Sequence, residues 1–282
     1  MKIKCVLLLF VVSFSNYLMG LENHINLIEQ APKDFLLFSV PKSGTHLMFK
    51  CLKILIDFSP VDWSKEPFWD DFPDHESFAA NLLRWKKNNC FLSSHPCSLY
   101  DGDQVVKFSI ENKNYQKILI VRDLRDAIIS FAYGFLEECQ DEAGVDLKDF
   151  DSRLDYVLMS LPDSYANYFL EESIQGAIEL AKQENVFVIH FEDLIGEKGG
   201  GNDENQREVI KNLCTILGII ETSDLFEKVK DELFGNHKGP NVSVTFRNGQ
   251  VGVWKEYFKP HHLQLFYDKW GNYQQALGYS LE

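Results

Sequence analysis

Apolar positions along the chain follow two periods, and their alternation predicts the fold class. Residues 34–40 (DFLLFSV) form a nearly continuous apolar run that ends at Pro41, with Gly44 close behind. A short run bounded by turn residues predicts a strand buried on both faces. Thr45–Ile56 then carries apolar residues at helical spacing on most faces, which predicts a buried helix. The pair recurs: residues 117–121 (KILIV) read as a second buried strand, followed by an apolar helix over 126–135. A helix over 164–183 leads into a third strand at 186–191 (VFVIHF), and 89–94 and 104–108 are weaker strand candidates. Strands alternating with helices predict an α/β fold, a central parallel sheet flanked by helices. In such sheets ligands sit beyond the carboxyl ends of the strands.

The remaining chain adds detail to this frame. Residues 199–201 are a glycine triplet in a polar stretch, expected to be a flexible loop. Helices are expected over 204–217 and 260–277. The aromatic and acidic segment 63–78 reads as an insertion or lid rather than a strand or helix, and the acidic stretch 137–155 as a solvated face. No internal repeat or domain boundary is visible, so residues 31–282 are expected to form a single domain. The first twenty residues stand apart: Lys2 and Lys4, an apolar run over 5–14, then Ser15, Asn16 and Gly20. That is the pattern of a signal peptide, with a short anchor as the alternative. It points to the secretory pathway or periplasm, against membrane-anchored or cytoplasmic alternatives. Any membrane contact would come through this segment alone, if it stays uncleaved.

Composition changes the picture little, but charge excludes some partners. The apolar share is 45% and the charged share 25%, ordinary for a globular protein. The formal net charge is −14, which argues against general binding to DNA, RNA or a polyanionic glycan. It leaves room for a small basic pocket. The six cysteines are scattered and do not form a disulfide framework. Cys90, His95 and Cys97 match no standard zinc spacing, so no metal is expected.

Three segments carry candidate chemistry. Pro41-Lys42-Ser43-Gly44-Thr45 joins a strand to a helix, where amides at the helix start, Lys42 and the Ser43 and Thr45 hydroxyls can cradle an anion. Alone, it fits a plain strand–helix turn equally well. It is not a Walker A loop, because Lys42 precedes the glycine. Arg122-Asp123-Leu124-Arg125-Asp126, with Ser130 further on, puts an arginine at a strand end. There it can take a phosphate in bidentate fashion, or belong to a surface ion-pair cluster. Asp126 is a candidate to start the helix. Phe246-Arg247-Asn248-Gly249, followed by Gly252-Val253-Trp254-Lys255, is a glycine-containing loop that offers side-chain and backbone donors, or is simply mobile.

In this order, the three segments resemble the cytosolic-type family of sulfotransferases that use 3′-phosphoadenosine 5′-phosphosulfate (PAPS). PKSGT is similar to the family's 5′-phosphosulfate loop, RDLRDAIIS to its 3′-phosphate motif, and FRNGQVGVWKEYF to its R-K-G…G-D-W-K segment. His190-Phe191-Glu192-Asp193-Leu194 resembles the family's Y-E-D-L, and Gly278-Tyr279 its C-terminal helix end. The resemblance implies a P-loop-NTPase-like sulfotransferase fold and transfer of a sulfuryl group from PAPS to a hydroxyl or amine. The acceptor would be a small molecule, glycan or peptide, and no metal would be required.

By matching position, Lys42 would bridge the sulfuryl group and the leaving phosphate, with Ser43, Gly44, Thr45 and His46 on the 5′ side. Arg122, Ser130, Phe246, Arg247, Asn248 and Gly249 would hold the 3′-phosphate, and Phe191 the nucleotide. His95, in the place of the family's K-T-H histidine, would be the general base. Lys42, His95 and Ser130 would then form the catalytic set. Several positions depart from the pattern: Leu47 stands where an adenine-stacking aromatic is common, His46 for threonine, Phe191 for tyrosine, Asn248 for a basic residue and Val253 for aspartate. The competing readings are a kinase-like phosphoryl transferase and a non-catalytic nucleotide-binding protein.

Overall fold

A computed structural model describes residues 35–58, 116–134, 149–159, 170–234 and 249–282, with the backbone strands at 68–69 and 92–94. The expected base His95, the loop residues Phe246, Arg247 and Asn248, the strand candidate 104–108 and the N-terminal signal segment lie outside the described residues. No helix among the described residues is long and apolar enough to cross a membrane.

Five strands form one sheet: β1 (Phe35–Ser39), β2 (Phe68–Trp69), β3 (Leu92–Ser94), β4 (Gln116–Val121) and β5 (Val186–His190). Their order is β2-β3-β1-β4-β5, and every neighbouring pair is parallel. The continuous apolar runs follow from burial on both faces. Leu36, Phe38 and Val40, with Leu119 and Val121, enter one core. Phe35 and Leu37, with Ile118 and Ile120, enter the other. Helix α1 (Thr45–Ile56), α6 (Asp203–Leu217) and α7 (Ser223–Leu233) cover the second face. Helices α2 (Leu124–Gly134), α3 (Phe150–Met159), α4 (Glu172–Ala181), α8 (Trp254–Tyr257), α9 (Pro260–Lys269) and α10 (Gly271–Ala276) cover the first.

The chain leaves β1 toward β2 and β3 on one side, and leaves β4 toward β5 on the other. The order therefore reverses between β1 and β4, which pair from Phe35↔Gln116 to Ser39↔Ile120. A crevice opens at the carboxyl ends of two strands where such a reversal occurs. Pro41–Thr45 and Arg122 both stand there.

Several expectations need correction. Phe68–Trp69, inside the expected lid, is the edge strand β2. The acidic stretch ends in α3, whose Leu154, Val157 and Leu158 are core residues. Its polar residues face outward on only part of each turn, so net acidity hid an amphipathic helix. Strand β5 stops at His190, and Phe191 instead opens a short helix, α5 (Phe191–Ile195).

The glycine triplet is not a free loop. It follows a 3-10 turn at Glu197–Gly199, Gly201 donates its N–H to the Gly196 carbonyl at 2.8 Å, and Val251 donates to Gly199 at 3.0 Å. A Cβ at position 201 would stand 2.2 Å from the Glu192 carbonyl oxygen, so close backbone approach explains this glycine. The last helix divides at Trp270, which is fully buried and donates its indole N–H to Leu158 at 3.0 Å. Helix α7 escaped prediction although its signals are local. Thr222 Oγ1 accepts the Leu225 N–H at 3.2 Å as an N-cap, and Leu225, Phe226, Val229 and Leu233 form the buried stripe.

Candidate active site

The loop after β1 is shaped by its backbone. Lys42 has φ 65° and is the positive-φ residue other than glycine among those described; Gly44 has φ 102°. The Gly44 carbonyl accepts from Met48 N at 2.9 Å, so Gly44 is the N-cap of α1, which has no side-chain cap. The first amides of α1 therefore face the loop without intrahelical acceptors.

Ser43 is fully buried, and its Oγ has no hydrogen-bond partner among the described residues. A buried hydroxyl left in that condition is costly unless something polar reaches it, so it suits an anion in the loop. Thr45 differs from expectation: its hydroxyl donates inward to Ser39 Oγ at 2.8 Å, leaving the main-chain N–H as its donor toward the loop. The His46 ring meets Phe49 edge-on with centroids 6.1 Å apart. Surrounding protein, and then the charge of Lys42, hold the His46 pKa below its ordinary value.

Gly44 also admits the ring of Phe191. A Cβ there would stand 2.6 Å from Phe191 Cδ2 and 3.4 Å from Ile120 Cδ1, at a φ that side chains rarely adopt. We expect Gly44→Ala to cost about 1–3 kcal/mol, measurable as a lower urea midpoint. An unchanged midpoint would show that the loop relaxes freely.

Arg122 connects the segments. It is 7% exposed, so the surface-cluster alternative does not hold. Its Nη1 donates to the Lys42 carbonyl at 3.4 Å and its Nη2 to the Gln250 carbonyl at 2.8 Å. The guanidinium lies over the Phe191 ring, 4.2 Å from its centroid. Its Nη2 is also 3.8 Å from Asp126 Oδ2. The strand-end loop, the arginine motif and the glycine loop, widely separated in sequence, thus meet at one side chain. Gly249, with φ 60°, is the described member of the expected FRNG contact set and directly precedes Gln250. Ser130 is half-buried on α2, one helical turn beyond Asp126 and on the same face.

The helix start belongs to Asp123, not Asp126. Asp123 Oδ1 accepts the Arg125 N–H at 2.9 Å, which is the N-cap position for α2. Asp126 instead accepts the amides of Gly252 at 2.7 Å and Trp254 at 2.8 Å. Burial raises its pKa, and Arg122 and the two amides oppose the rise.

Behind Phe191, Glu192 accepts from Asp123 N at 3.1 Å and from the Tyr279 hydroxyl at 2.6 Å. Burial lifts the Glu192 carboxyl above its ordinary range, and burial lifts the Tyr279 phenol well above its own. Arg125 lies 4.1 Å from the Trp254 ring centroid and pairs with Asp123 at 2.7 Å. The matches at Glu192 and Tyr279 read at first as mere landmarks are therefore one lock behind the site. Sequence reasoning missed this lock and the Asp126 contacts, because only the HFEDL and GY segments signalled it.

A second titratable cluster lies apart, at the start of α9. Asp155, His261 and His262 bring ligand-type atoms within 4.8 Å of one another. His262 is fully buried, whereas its neighbour His261 is exposed. Its Nδ1 accepts the Lys259 amide at 3.0 Å, so the neutral ring carries its proton on Nε2, which lies 3.2 Å from Asp155 Oδ1. Nε2 makes no hydrogen bond to Asp155 despite that distance, so the bond that His262 makes at the helix start is the one at Nδ1.

Burial, then the neighbouring His261, lowers the His262 pKa from 6.5. The unfolded chain therefore takes up a proton below about pH 6.5 that the folded chain refuses, and stability falls as pH drops through that value. Urea titrations between pH 7 and 5 should show this fall, and His262→Asn should make it shallower. Equal slopes would exclude His262 as its source. Asp126 and Glu192 have raised pKa values and act in the opposite sense, so the comparison between the two proteins isolates the histidine.

The chain is similar to proteins of known kind over most of its length. A family model described as a sulfotransferase domain matches residues 32–277. Sulfotransferase 2A2 of Rattus norvegicus is 24% identical over 264 residues, covering 87% of this chain and 86% of that protein. The 3-alpha-hydroxysteroid sulfotransferase of Cavia porcellus is 26% identical over 254 residues, covering 83% and 81%. Among solved structures, mouse sulfotransferase SULT7A1 complexed with PAP superposes with a TM-score of 0.59 at 19% identity, covering 88% of each chain. Retinol dehydratase in complex with androsterone and inactive cofactor PAP gives 0.52 at 15% identity, covering 86% and 81%. The structural likenesses establish the fold.

Proposed function

The chain belongs to the sulfotransferase family, and from that membership we propose that it transfers a sulfuryl group from PAPS to the hydroxyl of a small molecule. The observation that carries this reading is the convergence at Arg122, whose guanidinium touches the main chain of the Lys42 loop and of the Gly249–Gly252 loop at the carboxyl ends of β1 and β4. Two anion-binding loops gathered on one buried arginine suit a nucleotide with phosphate at both ends. The partnerless Ser43 hydroxyl and the glycine cradle at Gly44 fit the same ligand.

PAPS supplies an activated sulfuryl group joined to a phosphate that leaves with the bond electrons. Lys42 sits where the leaving oxygen gains charge and offsets it. Ser43, Gly44 and the amides of Thr45 and His46 hold the 5′ side. Arg122, Ser130 and the 246–249 loop hold the 3′-phosphate. Phe191 supports Gly44 and Arg122 from beneath, which explains how a phenyl ring serves where a hydroxyl is not needed. As the acceptor oxygen bonds to sulfur, its proton passes to His95 as general base. The transferring group carries less charge than a phosphoryl group, so positioning and fixed cations suffice without a metal.

The names of the relatives favour a small hydroxylated acceptor, and a steroid alcohol is the natural first probe. Calorimetric titration with PAP tests the donor side: no binding by the purified protein sinks the proposal. Transfer from radiolabelled PAPS to a panel of steroid alcohols, phenols, amines, a glycan and a peptide tests the acceptor side. Transfer confined to the glycan or peptide would overturn the small-molecule assignment.

A further inference from the structure

The segment from Gly249 to Trp254 presents one of the three expected phosphate contacts, and packing holds only its end, where Val253 is buried and Trp254 lies against the core. It has no regular secondary structure before Trp254, and Gly249 and Gly252 both take positive φ. A Cβ at Gly252 would meet nothing within 4 Å. The glycine-bearing part of such a loop, with its backbone freedom, must be ordered by specific bonds if it is to hold one shape. Several main-chain bonds tie it to neighbouring elements. Gln250 O accepts from Arg122, Val251 N donates to Gly199, and Gly252 N and Trp254 N both donate to the Asp126 carboxylate.

Asp126 is 2% exposed. Burying a carboxylate there is unfavourable and is tolerated because two amides and Arg122 surround it. The same side chain therefore sets two things: the path of the glycine loop, through two amides, and the place of the Arg122 guanidinium, through charge. Ser130 projects from the same face of α2, one turn on. Of the described members of the expected 3′-phosphate set, Arg122 lies beside Asp126, Gly249 begins the loop whose later amides Asp126 accepts, and Ser130 shares its helix face.

We infer that Asp126 is a positioning residue that fixes Arg122 and the Gly249–Trp254 loop in register for the 3′-phosphate of the nucleotide. The inference rests on the nucleotide reading of the site given above. It predicts a selective defect. Without Asp126 the 3′ contacts lose their alignment, while the 5′ loop, whose hydrogen bond to Arg122 is the long one at the Lys42 carbonyl (3.4 Å), keeps its Gly44 cap and the Phe191 ring against Gly44.

The test compares PAP with adenosine 5′-monophosphate, which lacks the 3′-phosphate, by calorimetry on the full chain. The wild type should bind PAP more tightly than the monophosphate. Asp126→Asn is nearly isosteric and keeps one acceptor oxygen. It should lower PAP affinity about 10- to 100-fold, a size expected for losing a charge-assisted acceptor, and leave the monophosphate unchanged. In turnover, KM for PAPS should rise more than kcat falls. Hydrogen exchange should show the Gly252 and Trp254 amides losing protection in the folded variant. Asp126→Ala should exaggerate each effect, and Asp126→Asn decides if that variant does not fold. A variant that keeps wild-type preference for PAP overturns the inference. So does an equal loss of both ligands, which would mark a merely structural role. A wild type that binds PAP no better than the monophosphate overturns the nucleotide reading itself, and this inference with it.

Discussion

Lys42→Gly should abolish most sulfate transfer while leaving the protein at least as stable as the wild type. Lys42 holds φ 65°, a backbone conformation that costs a side-chain-bearing residue roughly 1–2 kcal/mol and glycine nothing. The glycine variant therefore keeps the loop geometry and removes only the side chain. If Lys42 offsets charge on the leaving phosphate, kcat should fall about 100- to 1000-fold, the scale seen when one preorganised charge or donor is removed from a transition state. PAP affinity should fall less, because the main-chain amides and Ser43 remain. The measurement is kcat with saturating PAPS beside a thermal melt. Turnover within a few fold of wild type would remove Lys42 from the mechanism. A stable but inactive variant would be hard to explain by misfolding.

Arg122→Ala should have the largest effect on folding and ligand binding together. The substitution removes the donor to the Lys42 and Gln250 carbonyls, the partner stacked on Phe191 and the cation beside buried Asp126. Leaving a buried carboxylate without its cation costs about 3–5 kcal/mol, seen as a lower urea midpoint. PAP binding should become undetectable by calorimetry. Arg122→Lys separates the two roles. It restores a positive charge near Asp126 and should recover part of the stability. A single ammonium cannot span two carbonyls and a ring as the planar fork does, so affinity should stay low. Wild-type affinity in the lysine variant would show that charge alone matters at this position, and wild-type stability in the alanine variant would show that Asp126 is adequately held by its amides.

Much of this architecture is legible in local sequence, for a physical reason. The strands at 35–39 and 116–121 are buried on both faces, so nearly every position is apolar and the run is visible without context, and 186–190, half-buried at the sheet edge, keeps an apolar run as well. Thr45–Ile56 and Asp203–Leu217 match the expected helices closely, since each packs a wide apolar surface. Legibility falls where the apolar stripe narrows. Helix α3 has a half-polar first turn, and α7 interrupts a charged segment, so net charge masked their periodicity. Strand β2 is two residues long, below what any pattern can signal.

The site divides in the same way. Lys42, Ser43, Gly44 and Thr45 are recognisable because contiguous residues build the candidate loop at the strand end. The roles of charged residues elsewhere are not local. Asp126 reads as a helix-start residue from its neighbours and becomes a loop anchor through amides 126 and 128 positions away. His262 stands beside exposed His261 and is nevertheless fully buried, its Nδ1 accepting the Lys259 amide at the start of α9.

The sequence by itself determined the fold class, the place of the candidate strand-end loop and the family, because these rest on short-range periodicity and on motifs whose residues are adjacent. Only the tertiary structure decided that Arg122 is the meeting point of three distant segments, that Thr45 points its hydroxyl inward, and that Asp126 orders the glycine loop. Parallel strands force long crossovers, so residues far apart in the chain arrive side by side at the sheet's carboxyl edge. What a charged group does there depends on which partners bury it, and that information exists only once the sheet has formed.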